Sequence, residues 1–404
     1  MNWRIRALLL TPFLLPAAAF AADGLNAAIG KALFDRFWVQ APSSTAANDG
    51  LGPLFNEKSC QSCHSGKALS ARIVALPDGT LEPRGLATRL GSADGIPDPV
   101  YGRQIQPRAV TGLISEGTVA YALGPKPANP VRITVTPSRG PLDPRTHRGA
   151  RQAPSLRGIG LLDEVDDKAI EALADPDDMN GDGISGRVRW LTVDGKRVIG
   201  RYGWKASAAT LEQQTADAFM LDIGLSSPLA PHPSGDCTAA EADCLAAPNG
   251  RSPGFDDEEI SNQMIGLVTA YLHSLKAPPA LSSTPPGAAI FAQAGCAACH
   301  VPSLPTRTGG TVAIYSDLLL HDMGPALDDG VGEPGVASSE WRTAPLMTLS
   351  VRREADRRYL HDGRAATLDD AIRAHGGEAD AARSNYEALS AADRAALIAF
   401  LETL

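Results

Sequence analysis

Aromatic residues are scarce, at 5% of 404 positions, and cysteine and methionine each occur only six times. Six cysteines are too few to staple a chain of this length. A disulfide-framework fold is therefore excluded, and each cysteine needs its own explanation. Positive charge is also in deficit: 37 Lys and Arg stand against 46 Asp and Glu, a formal net charge of −9. That balance argues against a nucleic-acid partner. Beyond the N-terminus no run is long and apolar enough to cross a membrane. What the chain does have is an ordinary apolar content of 44%, which allows a sizeable core and rules out wholesale disorder. Glycine (39) and proline (31) are in excess, so turns and loops take a large share. The length suits about two to three domains at ~100–200 residues each.

Residues 1–22 read as a signal peptide. Arg4 and Arg6 make a basic head, Ala7 to Phe20 is apolar apart from Pro12 and Pro16, and Ala19-Phe20-Ala21 fits a small-x-small cleavage site. About 14 apolar residues fall short of the ~20 that span a bilayer, and no cysteine marks a lipid anchor there. The expected mature protein is exported to the periplasm, soluble and acidic.

Two stretches repeat. Gly50-Leu51-Gly52-Pro53-Leu54-Phe55 leads to Cys60-Gln61-Ser62-Cys63-His64, and Gly287-Ala288-Ala289-Ile290-Phe291 leads to Cys296-Ala297-Ala298-Cys299-His300. Each half closes on an amphipathic helix. In the first, Ile260, Met264, Ile265, Val268, Tyr271, Leu272 and Leu275 recur at helical spacing. The second starts at Ser390 with Asp393 three residues on, and buries Leu397, Ile398, Leu401 and Leu404. Pro278, Pro279, Pro285 and Pro286 mark a linker over 277–287. The domains are then 23–276 and 288–404. Strands are expected to be few, with Val131 to Thr136 and Val188 to Gly200 the candidates.

In an exported chain, Cys-x-x-Cys-His reads as covalent haem attachment. Two intervening residues let the thiols reach the two vinyl groups of one haem, and the adjacent His meets the iron. Zinc would require further Cys or His ligands at knuckle spacing, and a redox dithiol would require a βαβ context. Neither is present. Cys60, Cys63 and His64 should hold one haem c, and Cys296, Cys299 and His300 a second. The expected fold is mainly α: two cytochrome c-like haem domains with long loops, the first enlarged by insertions. The remaining pair, Cys237 and Cys244, suits a local disulfide.

Other stretches carry a resemblance. They include Phe37-Trp38-Val39, Arg157-Gly158-Ile159-Gly160-Leu161-Leu162, Gly200-Arg201-Tyr202-Gly203-Trp204-Lys205, Leu320-His321-Asp322-Met323-Gly324 and His361-Asp362-Gly363-Arg364-Ala365. With these the chain resembles the di-haem oxidoreductase, or "thiol oxidoreductase", family across essentially its whole mature length. More remotely it is similar to bacterial di-haem cytochrome c peroxidases and to the di-haem enzyme that matures methylamine dehydrogenase. Those enzymes pair an electron-transfer haem with a peroxidatic one, a tryptophan between them.

The resemblance implies roles for particular residues. Trp204, ten residues before Gln214, stands for the inter-haem tryptophan, and Gln214 for a distal-pocket residue. Asp222 is the implied peroxide acid/base if two residues are deleted relative to the peroxidases, with Glu212 as rival. Thr367-Leu368-Asp369-Asp370-Ala371-Ile372-Arg373-Ala374-His375-Gly376 places His375 where the peroxidases have a methionine ligand. The second haem would then be bis-histidine, with a lowered potential. Met323 is the alternative ligand, and His321 and His361 suit hydrogen bonding. For the first haem His147 is a minor candidate, His232 reads as loop, and an open sixth position is the simpler expectation. Asp178, Asn180 and Asp182 alternate before Gly183 like half a calcium loop, but Arg189 stands where its closing Glu belongs.

The function implied is a periplasmic di-haem oxidoreductase, peroxidase-like, taking hydrogen peroxide or another oxidant. Its electron donor would be a small cytochrome c or cupredoxin. The alternatives are a plain electron-transfer cytochrome and an oxidase of protein side chains or thiols.

Overall fold

The computed structural model describes residues 16–125, 129–279, 285–352 and 358–404. Most of the leader, 1–15, and the middle of the expected linker, 280–284, lie outside them. Among the described residues no helix is long and apolar enough to cross a membrane.

The predicted closing helices form. Asn262–Ser274 is capped by the Ser261 hydroxyl, which accepts from the Met264 amide, and it buries Ile265, Val268, Tyr271 and Leu272. Ala391–Leu401 is capped by Ser390 accepting from the Asp393 amide, and it buries Leu397, Phe400 and Leu401. Each closing helix is crossed by a helix from earlier in its own half: Pro16–Asp35 crosses the first and Pro286–Gln293 the second.

The two crossings repeat residue for residue. A methyl group on Gly30 would collide with the Leu267 carbonyl and press on Tyr271. One on Gly287 would collide with the Ala396 carbonyl and press on Phe400. Four residues after each glycine, Phe34 meets Tyr271 edge to face at 5.3 Å and Phe291 meets Phe400 at 5.6 Å. Burying each phenylalanine contributes about 2–3 kcal/mol, and the missing Cβ lets the backbones close to that contact. The structural partner of Gly287–Phe291 is thus Gly30–Phe34, not the Gly50–Phe55 stretch that the sequence aligns with it. The first half inserts residues 36–59 between its helix and its Cys-x-x-Cys-His turn.

The mainly-α expectation is wrong. The fold is 28% helical and 20% strand, a mixed α/β architecture with several small sheets. Most of the strands lie in the region taken for loop. Arg72–Ala75, Thr80–Arg84, Gly117–Ala122 and Arg132–Pro137 form a four-stranded antiparallel sheet in that order. Leu86–Gly91 pairs with His147–Gln152, Leu86 opposite Gln152 and Gly91 opposite His147. Ile73, Leu81, Leu86, Tyr121, Val131 and Ala150 fill a core beneath these strands. Only one face is buried, so the apolar residues alternate with Arg and Glu and dilute the signal. Asp78-Gly79, with Gly79 at φ +83°, makes the first turn, and Asp194-Gly195, at φ +49° and +72°, turns the Trp190–Val193 and Lys196–Ile199 hairpin. Both are Asp-Gly turn signals.

The halves also share a core. Leu304, Val312, Ile314, Leu318, Leu319 and Met347 pack into the main cluster with Leu33, Phe34, Trp38 and the Asn262–Ser274 helix. A smaller cluster joins Phe291, Tyr386, Leu397, Phe400 and Leu404.

Candidate functional site

Each Cys-x-x-Cys-His motif is a single turn of helix. The His64 amide donates to the Cys60 carbonyl at 2.9 Å and the His300 amide to the Cys296 carbonyl at 3.0 Å. One turn brings both thiols and the imidazole to one side. The imidazoles are also held in one tautomer. His64 Nδ1 lies 3.1 Å from the carbonyls of Leu69 and Pro154, and His300 Nδ1 lies 3.1 Å from that of Tyr315. A carbonyl only accepts, so each Nδ1 carries the proton and each Nε2 keeps its lone pair for a metal.

His375 is fixed the same way, its Nδ1 donating to the Ala371 carbonyl at 2.8 Å. Helix Leu368–Arg373, which a Thr367/Asp370 capping box starts, carries it to the second motif. Burial, and then the charge of His375, lower the His300 pKa to about 4. The two rings are electrostatic neighbours, both neutral at ordinary pH. Met323 instead packs with Leu360 and Trp204 around Leu327, Trp341 and Ala374.

The donor sets fit haem c. Burial pushes the Cys60 thiol up to about 12 and the Cys296 thiol up to about 11, and lowers His64 and His375. Yet all four side chains keep accessible surface. Two thiols and one neutral imidazole in each motif are the attachment set of a c-type haem.

Asp222 faces the first motif. After burial, its charge is the next cause that raises the Cys60 and Cys63 thiols, and it offsets part of the lowering that burial imposes on His64. It stands in a π-helical turn, Phe219–Ile223, that ends helix Leu211–Ala218, and Gln104 Nε2 donates to its Oδ1 at 2.9 Å. Such turns re-aim side chains and recur at functional sites. Glu212, the rival carboxylate, is exposed. Arg89 was not legible in the sequence; Asp222 and Glu333 are the first opposing charges on its guanidinium. Asp217, also unforeseen, lies among Arg103, Arg89 and Glu333, and burial raises its pKa.

Trp204 is joined to the first motif through one backbone carbonyl. Its Nε1 donates to the Gln152 carbonyl at 2.9 Å, two residues before the Pro154 carbonyl that binds His64. It also packs against the cluster of Leu327, Trp341 and Ala374, the last of which precedes His375 in the chain. Gln214 Oε1 reaches the neighbouring Gly203. His361 presents its edge to Trp204 at 6.4 Å and stacks on Trp341 at 3.8 Å, while Arg151 and Lys205 sit over the Trp341 ring at 4.5 and 3.9 Å. His321 is clamped between Asp317 (2.9 Å) and Glu378 (2.7 Å).

Other candidates stand apart. His147 and His232 are exposed. Asp178, Asn180 and Asp182 share an exposed loop in which the Asp178 carboxylate accepts from the Gly183 amide and Asp182 from the Ile184 amide. Among the described residues, the one group of His, Cys, Asp or Glu close enough to share an ion is Cys299, Asp317 and His321. Cys237 and Cys244 are bonded to each other.

A family model described as "Di-haem oxidoreductase, putative peroxidase" matches residues 142–404. It takes in Trp204, Asp222, the second motif and His375, and begins after the first motif. No curated protein and no solved structure matches the chain.

Proposed function

From the chain's place in the di-haem oxidoreductase family, to which it belongs, we propose a peroxidase-like enzyme of the periplasm. Electrons from a small cytochrome c or cupredoxin would enter at the Cys296/Cys299 site, pass Trp204, and leave to peroxide at the Cys60/Cys63 site. The two haems, when bound, supply the one-electron chemistry and an iron position for peroxide. The protein's own groups do the rest. His64, His300 and His375 present Nε2 lone pairs in fixed orientation. Asp222 holds and moves the proton that peroxide cleavage requires, with Gln104 fixing its carboxylate. Arg89 offers positive charge beside it.

One observation carries the reading: the two motifs are not equivalent. His375 stands against His300, whereas the imidazoles His147 and His232 are exposed and the group facing the first motif is a carboxylate. That asymmetry supports one closed and one open iron.

Electron paramagnetic resonance of the ferric protein, before and after peroxide, tests it. The expected result is one high-spin and one low-spin bis-imidazole signal, the latter lost in His375→Ala, with peroxide altering the high-spin signal first. Two low-spin haems indifferent to peroxide would establish an electron carrier instead.

A further inference from the structure

Glu116 and Glu241 are both fully buried, at 0% exposure, and the reading above uses neither. Glu116 immediately precedes strand Gly117–Ala122. Glu241 lies in the loop closed by Cys237–Cys244, so the disulfide carries it inward. The two carboxyl groups meet at hydrogen-bonding range. As two carboxylates they would face each other acceptor to acceptor, and Glu116 Oε1 lacks a donor. One proton between them turns that clash into a hydrogen bond.

The surroundings favour keeping it. Asp236 adds negative charge, and the facing cation is Arg139, whose Nε lies 3.2 Å from Glu241 Oε1. Arg139 is itself bound to the exposed Asp243 at 2.6 Å. Burial and the neighbouring Glu241 push Glu116 up to about 10.

The pair is joined to Asp222. The Gln106 amide donates to Glu116, and Gln106 Nε2 donates to the Leu221 carbonyl at 2.8 Å. Gln104 Nε2 bridges that carbonyl, at 3.3 Å, and Asp222 Oδ1. Gln104 and Gln106 are 0% and 3% exposed, and the amide oxygen of each is without a donor. Three unpaired oxygens, those of Glu116, Gln106 and Gln104, thus lie between the disulfide loop and the pocket carboxylate, placed to orient water.

We propose that Glu116 and Glu241 share one proton and feed it, along Gln106 and Gln104, to Asp222 at the first haem site. Peroxide reduction consumes two protons with two electrons and yields two waters. The electrons come from the donor protein, and the pair hands on each proton and refills from solvent past Arg139. The proposal rests on the peroxide reading, so its test includes readouts that need no peroxide.

The infrared spectrum of the resting wild-type protein at neutral pH should contain the carbonyl stretch of a protonated carboxylic acid, absent in Glu116→Gln. After rapid reduction of the haems, proton uptake followed with a pH indicator should be slowed by ~10²-fold in that variant and restored by a small weak acid such as formic acid. A merely structural defect would not be rescued. Glu241→Gln, on the other side of the pair, should behave alike and serves if Glu116→Gln does not fold. No protonated-acid band in the wild type, or unchanged uptake in a folded variant, overturns the proposal. Failure of the wild type to reduce peroxide would instead refute the function proposed above.

Discussion

Trp204 donates its indole proton to the carbonyl of Gln152, and two residues further on the same chain segment accepts from His64. The indole is therefore tied to the first motif through one short piece of backbone, and it packs against the cluster that contains Ala374, the residue before His375.

Trp204→Phe keeps the ring and removes the donor. We expect about 1 kcal/mol of lost stability for the hydrogen bond, with the Gln152 carbonyl left unpaired. Slower electron exchange between the sites, followed by stopped-flow absorbance, should accompany it. A variant with unaltered exchange would remove Trp204 from the path.

Asp222→Asn retains an acceptor for Gln104 and loses the proton. Peroxide turnover should fall by ~10²–10⁴-fold if the carboxylate does acid–base work, with the fall in kcat rather than in peroxide affinity. Full turnover would exclude the role.

His321 supplies a pH test. Burial opposes its charge, but hydrogen bonds, that to Asp317 first, hold its pKa up to about 12. The unfolded group titrates near ~6.5. The ion pairs therefore contribute their full stability below pH ~6.5, and that contribution declines as pH rises from there toward 12. His321→Gln strands two buried carboxylates and should cost about 3–5 kcal/mol at pH 6, less at pH 9. Thermal midpoints at the two pH values measure this. An equal loss at both would refute the charged imidazole.

Gly30→Ala and Gly287→Ala test the repeated helix crossing. Each methyl meets backbone rather than a movable side chain, so each should cost about 1–3 kcal/mol, the usual range for overpacking. Gly266→Ala, with nothing within 4 Å of the added carbon, should instead gain slightly in helix propensity. Denaturant titration compares the three. Equal effects would show that the glycines are not contacts.

The legible part of this protein lay in short spacings. Two residues between cysteines and a following histidine make one helical turn, whatever surrounds it. The 3.6-residue periodicity of Ile265 to Leu275 and the Ser390/Asp393 cap specified their helices for the same reason. Of the sheet of residues 72–137 only the strand Arg132–Pro137 was legible, because half-buried strands alternate apolar residues with charge. Their pairing depends on partners as far apart as Thr80 and Ala122. The Gly50 alignment failed because similarity around the motif outweighed Gly30 and Phe34, whose meaning lies in a helix more than 200 residues away.

By itself, then, the sequence determined the two Cys-x-x-Cys-His turns, the capped helices and the disulfide, since each depends on neighbours within a few residues. Only the tertiary structure decided that Asp222 meets Gln104, that His361 stacks on Trp341, and that Glu116 meets Glu241. Buried charges and rings find partners through packing, and packing is set by contacts across the whole chain rather than by local spacing.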